Sequence, residues 1–383
     1  MAEGLAYSVE FADSISKVSA TAWDACTEGN PFVQHAFLNA LEQSGCASAE
    51  TGWQPYHILL RDPQGGSFVG FMPCYVKSHS FGEYVFDHAW AGAFERAGGS
   101  YYPKLQSSIP FTPVTTPRLL TTPTLADAVK PALLQSIQKL VEQAGLSSVH
   151  LTFLQSHEAK LAESYGYLIR ADQQFHWQNH KYTNFNDFLA ALSSRKRKQI
   201  KKERRTALES GIEIEQLSGT DITEKHWDHF FDFYQDTSAR KWGQPYLNRS
   251  FFSLISASMP ENILLFMCKR NGKYIGGALN FIGLDTLYGR YWGCLEEHPC
   301  LHFETCYYQA IDYAIANDLS FVEAGAQGPH KLARGYSPVK TYSAHWITDP
   351  AFRDAIARFL SAERQEIEAD VAYLATQTPF KKK

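Results

Sequence analysis

Two stretches far apart in this chain repeat each other. AKLAESYGYLIRADQQFHW covers residues 159 to 177 and HKLARGYSPVKTYSAHW covers 330 to 346, and both run Lys-Leu-Ala, then Gly-Tyr, then an extended stretch ending His-Trp. Lys160 thus answers to Lys331, Gly166 to Gly335 and His176 to His345. A repeat of this kind means one structural unit built twice. The length of 383 residues agrees, because it exceeds what one hydrophobic core usually serves and suits two middle-sized ones.

The elements upstream recur in the same order. In the first half a helix is expected over Phe32 to Gln43, followed by the hairpin YHILLRDPQGGSFVGFMPCYV with its turn at Pro-Gln-Gly-Gly. In the second, a helix near Ser250 to Ala257 precedes ILLFMCKRNGKYIGGALNFIG, where Asn271-Gly272 suits a type I′ turn. Amphipathic helices follow, from Leu125 to Gln143 and roughly His302 to Asn317, each leading to a short strand, VHLTFL at 149 to 154 and SFVEAG at 320 to 325. The class is α/β with mixed sheets flanked by helices. This order resembles the GNAT fold, so the expected architecture is two fused GNAT-like domains, residues 1–178 and 179–383.

Composition narrows the function classes. With 36 Lys and Arg against 40 Asp and Glu, the net charge of −4 gives no global bias toward nucleic acid or anionic lipid. The amino terminus lacks a basic and an apolar leader region, no window approaches a membrane span, and a cytoplasmic location is expected. Seven scattered cysteines without a CxxC pair imply reduced thiols. Cys294, His298, Cys300, His302 and Cys306 lie close together, but the run enters an apolar helix pattern rather than a zinc knuckle, so no metal is expected.

Two segments stand outside the repeat. Residues 77–123 are rich in proline and aromatics with little periodicity, and read as an irregular but ordered wall of a binding cleft. Within them Asp87 and Lys104 are flanked by Phe86, Trp90, Tyr101 and Tyr102, as cleft residues or as a buried ion pair. Residues 193–211, SSRKRKQIKKERRTALESG, form a basic helix with only Ile200 and Leu208 as an apolar seam. That seam is thin for a membrane helix, and no DNA-reading module accompanies it. A solvated charged face and a phosphate or tRNA contact through Arg195, Lys196, Arg197 and Lys198 both remain.

The GNAT resemblance implies transfer of an acyl group to an amine, which needs a group to take the amine proton, donors for the oxyanion and groups that hold the acceptor. The segment from Glu323 to His345 is richest in these. Glu323 ends an apolar strand at the usual cleft edge, and with His345 it is a candidate catalytic residue. Gln327, His330, Lys331 and Arg334 are candidate substrate contacts, Arg334 above all, because Glu163 stands at its place in the first repeat. Arg290 and Trp292 in TLYGRYWG, and Asp87, Trp90, Tyr102 and Lys104 from the 77–123 segment, complete the set, with that segment expected to close over it. Lys241 and Trp242 are read as a mobile loop beside the cleft.

The basic helix with ESGIEIEQL and FFDFYQDTSARKWGQPYLNRSFFSLI resembles the Fem family of peptidoglycan interpeptide-bridge aminoacyltransferases. FGEYVFDHAWA, YYPKL, PFTPV, LHFETCYYQAIDYAI and GAQGPHKLARGYSPVKTYSAHW resemble a bacterial group of Fem-like tandem-GNAT proteins described as predicted N-acyltransferases. The resemblance spans roughly residues 20 to 360. It implies transfer of an acyl or aminoacyl group to a small-molecule or peptidyl amine, with a cell-wall precursor as one acceptor and acyl-CoA or aminoacyl-tRNA as donor. Pro329 stands where that pattern usually has an acidic residue. The glycine-rich loop that cradles a pyrophosphate is missing from CLEEHPCLHFETC, which leaves the donor undecided. The alternative from another class is a GNAT-derived module that binds a peptidoglycan fragment, a nucleotide-linked precursor or RNA without catalysis.

Overall fold

The computed structural model describes residues 7–241, 244–325 and 328–381. It divides into two units. The first comprises the chain up to Asp172 together with Lys340–Glu368, and the second Gln173–Val339 with the residues from Ala369 onward.

In the first unit, strands β1 (Ser8–Ala12), β2 (Trp53–Pro55), β3 (His57–Arg61), β4 (Phe68–Met72), β5 (Tyr75–Lys77), β6 (Lys104–Ser107), β7 (Leu120–Thr121) and β8 (Ser148–Leu154) are followed by the start of β9 (Leu168–Gln178). One sheet has the order β1-β3-β4-β7, and β8-β6-β5-β2 form another. Strands β5 and β6 are antiparallel, whereas β6 and β8 run parallel because the helix Ala126–Gln143 carries the chain back between them. Val129, Leu133 and Ile137 of that helix meet Ile58, Leu60, Val149 and Leu151 in one core.

The second unit repeats the plan with β10 (Ile212–Ser218), β11 (Ile263–Arg270), β12 (Lys273–Ile282), β13 (Thr286–Cys294) and β14 (Phe321–Ala324). Strands β10 to β13 are antiparallel neighbours, and β13 is parallel to β14 across the helical segment 301–316. Asn271 at φ 51° and Gly272 at φ 77° make the β11–β12 turn, the left-handed pair that this dipeptide favours. Ala310, Ile311, Ala314 and Ile315 pack on Leu264, Phe266, Leu287 and Val322. Residues Glu304–Tyr308 form a π-helical turn inside the segment. Each unit thus has antiparallel strands leading into a helix-bridged parallel pair: the fold is α/β, two fused GNAT-like units of mixed sheet flanked by helices.

Three features depart from the linear reading. First, the last strands are exchanged between the repeats. The end of β9 pairs in the second unit, His176 beside Glu323, while β15 (Tyr336–Ile347) ends in the first unit with His345 beside His150. A single cut after residue 178 therefore differs from the observed division, because strand pairing rather than chain order closes each core. Second, the 77–123 segment is not an irregular wall. It supplies the buried internal strand β6, the pair β7 and the helix His88–Arg96. Its polar sequence Lys-Leu-Gln-Ser hides a core strand, in which the buried Lys104 is held by Ser80, Glu83 and Asp87 and the Gln106 amide donates to Thr152. Third, Lys241 ends the helix Glu224–Lys241 rather than a loop, and Trp242 lies outside the described residues.

Candidate active site

In the second unit the parallel register of β13 and β14 sets Tyr288 beside Glu323 and Gly289 beside Ala324. The antiparallel end of β9 sets His176 on the other side of Glu323. The Glu323 Oε1 lies 3.6 Å from His176 Nδ1, and His176 Nε2 lies 3.2 Å from Gln174 Oε1. Both charged-type side chains are largely withdrawn from water, at 13 % and 15 % exposure. Burial pushes the Glu323 carboxyl up to about 8 against the pull of the Arg290 guanidinium, and the Asp285 carboxylate adds to the rise. Burial and the nearby Lys331 ammonium bring His176 down to about 4.

Lys331 is held by the short helix Pro329–Arg334, and its Nζ donates to the Gly325 carbonyl at 2.8 Å. It is 1 % exposed, and burial lowers it to about 8. Beside it the exposed His330 meets the Tyr307 hydroxyl through Nε2 at 2.9 Å. Arg334 lies 3.5 Å over the Phe303 ring, donates to the His330 carbonyl and pairs with Glu203 at 3.0 Å. Glu203 also accepts from the Tyr308 hydroxyl.

The basic helix, Ser194–Leu208, anchors itself through its own middle. Arg204 is clamped by Glu304 at 2.9 Å and Asp312 at 2.7 Å, with Ile200 and Ala207 buried beneath. Its first turns behave differently. Arg195 and Lys198 are exposed, Lys196 and Arg197 half-buried, and none of the four makes an ion pair among the described residues.

A separate ionic network fills the first unit. Lys104 Nζ donates to Asp87 at 2.5 Å, Glu83 at 2.8 Å and Ser80 at 2.8 Å. Asp87 accepts from the Tyr101 hydroxyl at 2.7 Å, and the chain continues through His150 Nε2 at 3.3 Å to a 2.6 Å contact between His150 Nδ1 and His345 Nδ1. His345 Nε2 ends on Ser343 at 2.9 Å, with the Trp90 ring edge-on to the imidazole. Tyr102 reaches the same Ser80 hydroxyl at 2.8 Å. Burial tends to raise Asp87, but Lys104 overrides it and holds the carboxyl well below the usual range. Burial brings His150 down to about 3 and lifts Glu83 to about 7.

Residues 14–382 match the model of the FemAB-like family, described as peptidoglycan biosynthesis/recognition. The chain belongs to the FemAB-like family. Its fold is similar to that of FemX, with a TM-score of 0.55 and 13 % identity over 91 % of this chain and 100 % of that one. It is also similar to L-PGS from Bacillus licheniformis, with a TM-score of 0.52 and 9 % identity over 88 % and 98 %. The C-terminal domain of a putative lysylphosphatidylglycerol synthetase from Agrobacterium fabrum gives 0.52 and 8 % over 91 % and 97 %. No curated protein matches the chain in sequence.

This FemAB-like protein gathers the expected site residues into two groups rather than one. Glu323, Arg290, His330, Lys331 and Arg334 share the second unit, where Trp292 packs edge-on to His302. Asp87, Trp90, Tyr102, Lys104 and His345 share the first. Gln327 lies outside the described residues. Two expectations are corrected. His345 is 1 % exposed with both ring nitrogens engaged inside the network, so it serves the interior of the first unit rather than a reacting amine. Arg334 has an internal counter-charge in Glu203 and is not a free cation for a substrate anion. The sequence reading missed Glu83, His150, Gln174 and Glu203. The repeat could have found His150, since Val149-His150 occupies the strand position of Val322-Glu323. Among the described residues no three His, Cys, Asp or Glu side chains are placed to hold a metal ion, and no helix is long and apolar enough to cross a membrane.

Proposed function

We propose that this protein is an N-acyltransferase or aminoacyltransferase of cell-wall metabolism, in which an amine attacks the acyl donor directly and Glu323 takes the amine proton. One observation carries this reading. The Glu323 carboxyl stands near the carboxyl end of β14, largely withdrawn from water and 3.6 Å from the His176 imidazole, and this burial pushes its proton affinity up toward that of a base near neutral pH. Membership of a family described by peptidoglycan biosynthesis/recognition supports a cell-wall acceptor, and a fold shared with FemX and with a putative lysylphosphatidylglycerol synthetase supports acyl transfer. The neighbouring Lys331, fixed on the Gly325 carbonyl, and Arg290 supply positive charge beside the reacting groups. The decisive assay is mass spectrometry of amine-bearing cell-wall precursors incubated with charged tRNA or with acyl-CoA. A mass gain with either donor supports transfer, and none with both favours the non-catalytic binding module.

The donor reading turns on the helical segment 301–316. It opens at Cys300, with φ 65°, rather than in a glycine-rich loop, and Glu296 and Glu297 precede it. No glycine lies between Cys294 and that segment to let backbone N–H groups close on a pyrophosphate, and the two carboxylates are paired, Glu296 with Arg270 and Glu297 with Arg240. An aminoacyl-tRNA donor is therefore favoured over acyl-CoA, with Arg195, Lys196, Arg197 and Lys198 as phosphate contacts. Changing those four together to Ala is expected to weaken tRNA binding and to flatten its salt dependence, the slope of log affinity against log salt falling by about 3 to 4. A filter-binding series that shows the same slope in both proteins would remove the helix from the donor site.

A further inference from the structure

Gln174 and His176 are two residues apart on one strand, so their side chains share a face, and Glu323 is the cross-strand neighbour of His176 on β14. The strand that brings them is β9, which belongs to the first repeat and ends in the second unit. Gln174 is 3 % exposed, and its amide oxygen faces His176 Nε2 at 3.2 Å. An amide oxygen only accepts, so the proton of the neutral ring sits on Nε2 and the Nδ1 lone pair points at Glu323.

We infer that His176 is a positioning residue for Glu323, locked by Gln174 as the Nε2–H tautomer so that its Nδ1 lone pair, 3.6 Å from the Glu323 oxygen, faces the carboxyl and opposes its ionisation. This rests on the reading of Glu323 as the base. The charged groups around the pair agree with a neutral imidazole. Lys331 on the short helix 329–334 opposes a positive charge on His176, while Asp285, before β13, opposes a negative one on Glu323 against the pull of Arg290 on β13. The pair therefore holds one proton, on Glu323, and gives it up only as pH rises. When the carboxylate forms, the Nδ1 lone pair opposes it, which raises the proton affinity with which Glu323 takes the proton of the amine.

The test uses the full chain labelled with 15N-histidine and long-range proton–nitrogen spectra, with the His176 signals assigned by loss in H176N. The expected result is the Nε2–H pattern, unchanged between pH 5 and pH 9. In Gln174→Ala the ring is expected to become a tautomer mixture, with kcat falling about tenfold, KM little changed and the midpoint of the pH–rate profile displaced. An Nδ1–H pattern in the natural protein, or a Gln174→Ala spectrum identical to it, overturns the inference. The tautomer is read without turnover. Full activity in Glu323→Gln with the Nε2–H lock intact would therefore refute the base and, with it, the positioning role, whereas an inactive Glu323→Gln with the wrong tautomer would refute the lock alone.

Discussion

Replacing Lys104 by Met is expected to destabilise the first unit by about 3–5 kcal/mol, close to the whole stability of a domain. The ammonium is fully buried and is the donor shared by Asp87, Glu83 and Ser80. Met keeps the volume and removes the charge, so Asp87 loses its bonded counter-ion in the interior and Glu83 keeps only Lys77, 4.0 Å away. The loss is expected to come back in large part when Asp87→Asn and Glu83→Gln are added, because a neutral side chain costs far less to bury than an unpaired carboxylate. Chemical denaturation with hydrogen exchange read at the β8 amides of Val149 and Leu151 measures it. A change under about 1 kcal/mol would mean that the network contributes specificity or nothing, rather than stability.

Glu323→Gln is expected to lower the rate of acyl transfer by roughly 10²- to 10⁴-fold and to abolish its rise with pH toward about 8. Gln fills the same space and cannot take a proton, so the readout isolates the base from the fold. The same variant has an opposite effect on stability. The carboxyl is raised in the folded state from 4.5 to about 8, so the folded chain binds its proton more tightly than the unfolded one in that window. Its favourable contribution is full below 4.5 and is lost as pH rises through about 8. Glu323→Gln lacks this loss, and above pH 8 it is expected to be the more stable protein by roughly 2–4 kcal/mol. A variant that is slower but no more stable at high pH would place the carboxyl in water, and one that is more stable but fully active would remove it from the reaction.

These two residues also mark how far the chain can be read without its coordinates. The place of Glu323 near the end of a short apolar strand was legible, and that is where α/β sheets present their chemistry. The Asp87–Lys104 pair was legible as a pair, from ionisable residues set among aromatics. The three donations of Lys104 were not, since Ser80, Glu83 and Asp87 reach it only after β6 enters the sheet as an internal strand. His345 shows the same limit. The repeat set it level with His176, but its surroundings followed from its partner, and that partner is His150, 195 positions away.

Local order came from the sequence alone. Apolar periodicity, the Asn271-Gly272 turn and the Lys-Leu-Ala…His-Trp repeat decided which elements form, that they form twice, and that the class is α/β, because helices and turns are settled by neighbours a few positions apart. Only the tertiary structure decided which last strand closes which unit. Strand partners are chosen by burial and hydrogen bonding across the whole chain, and that choice put a histidine of the first repeat against the acid of the second, and a histidine of the second against the buried ions of the first.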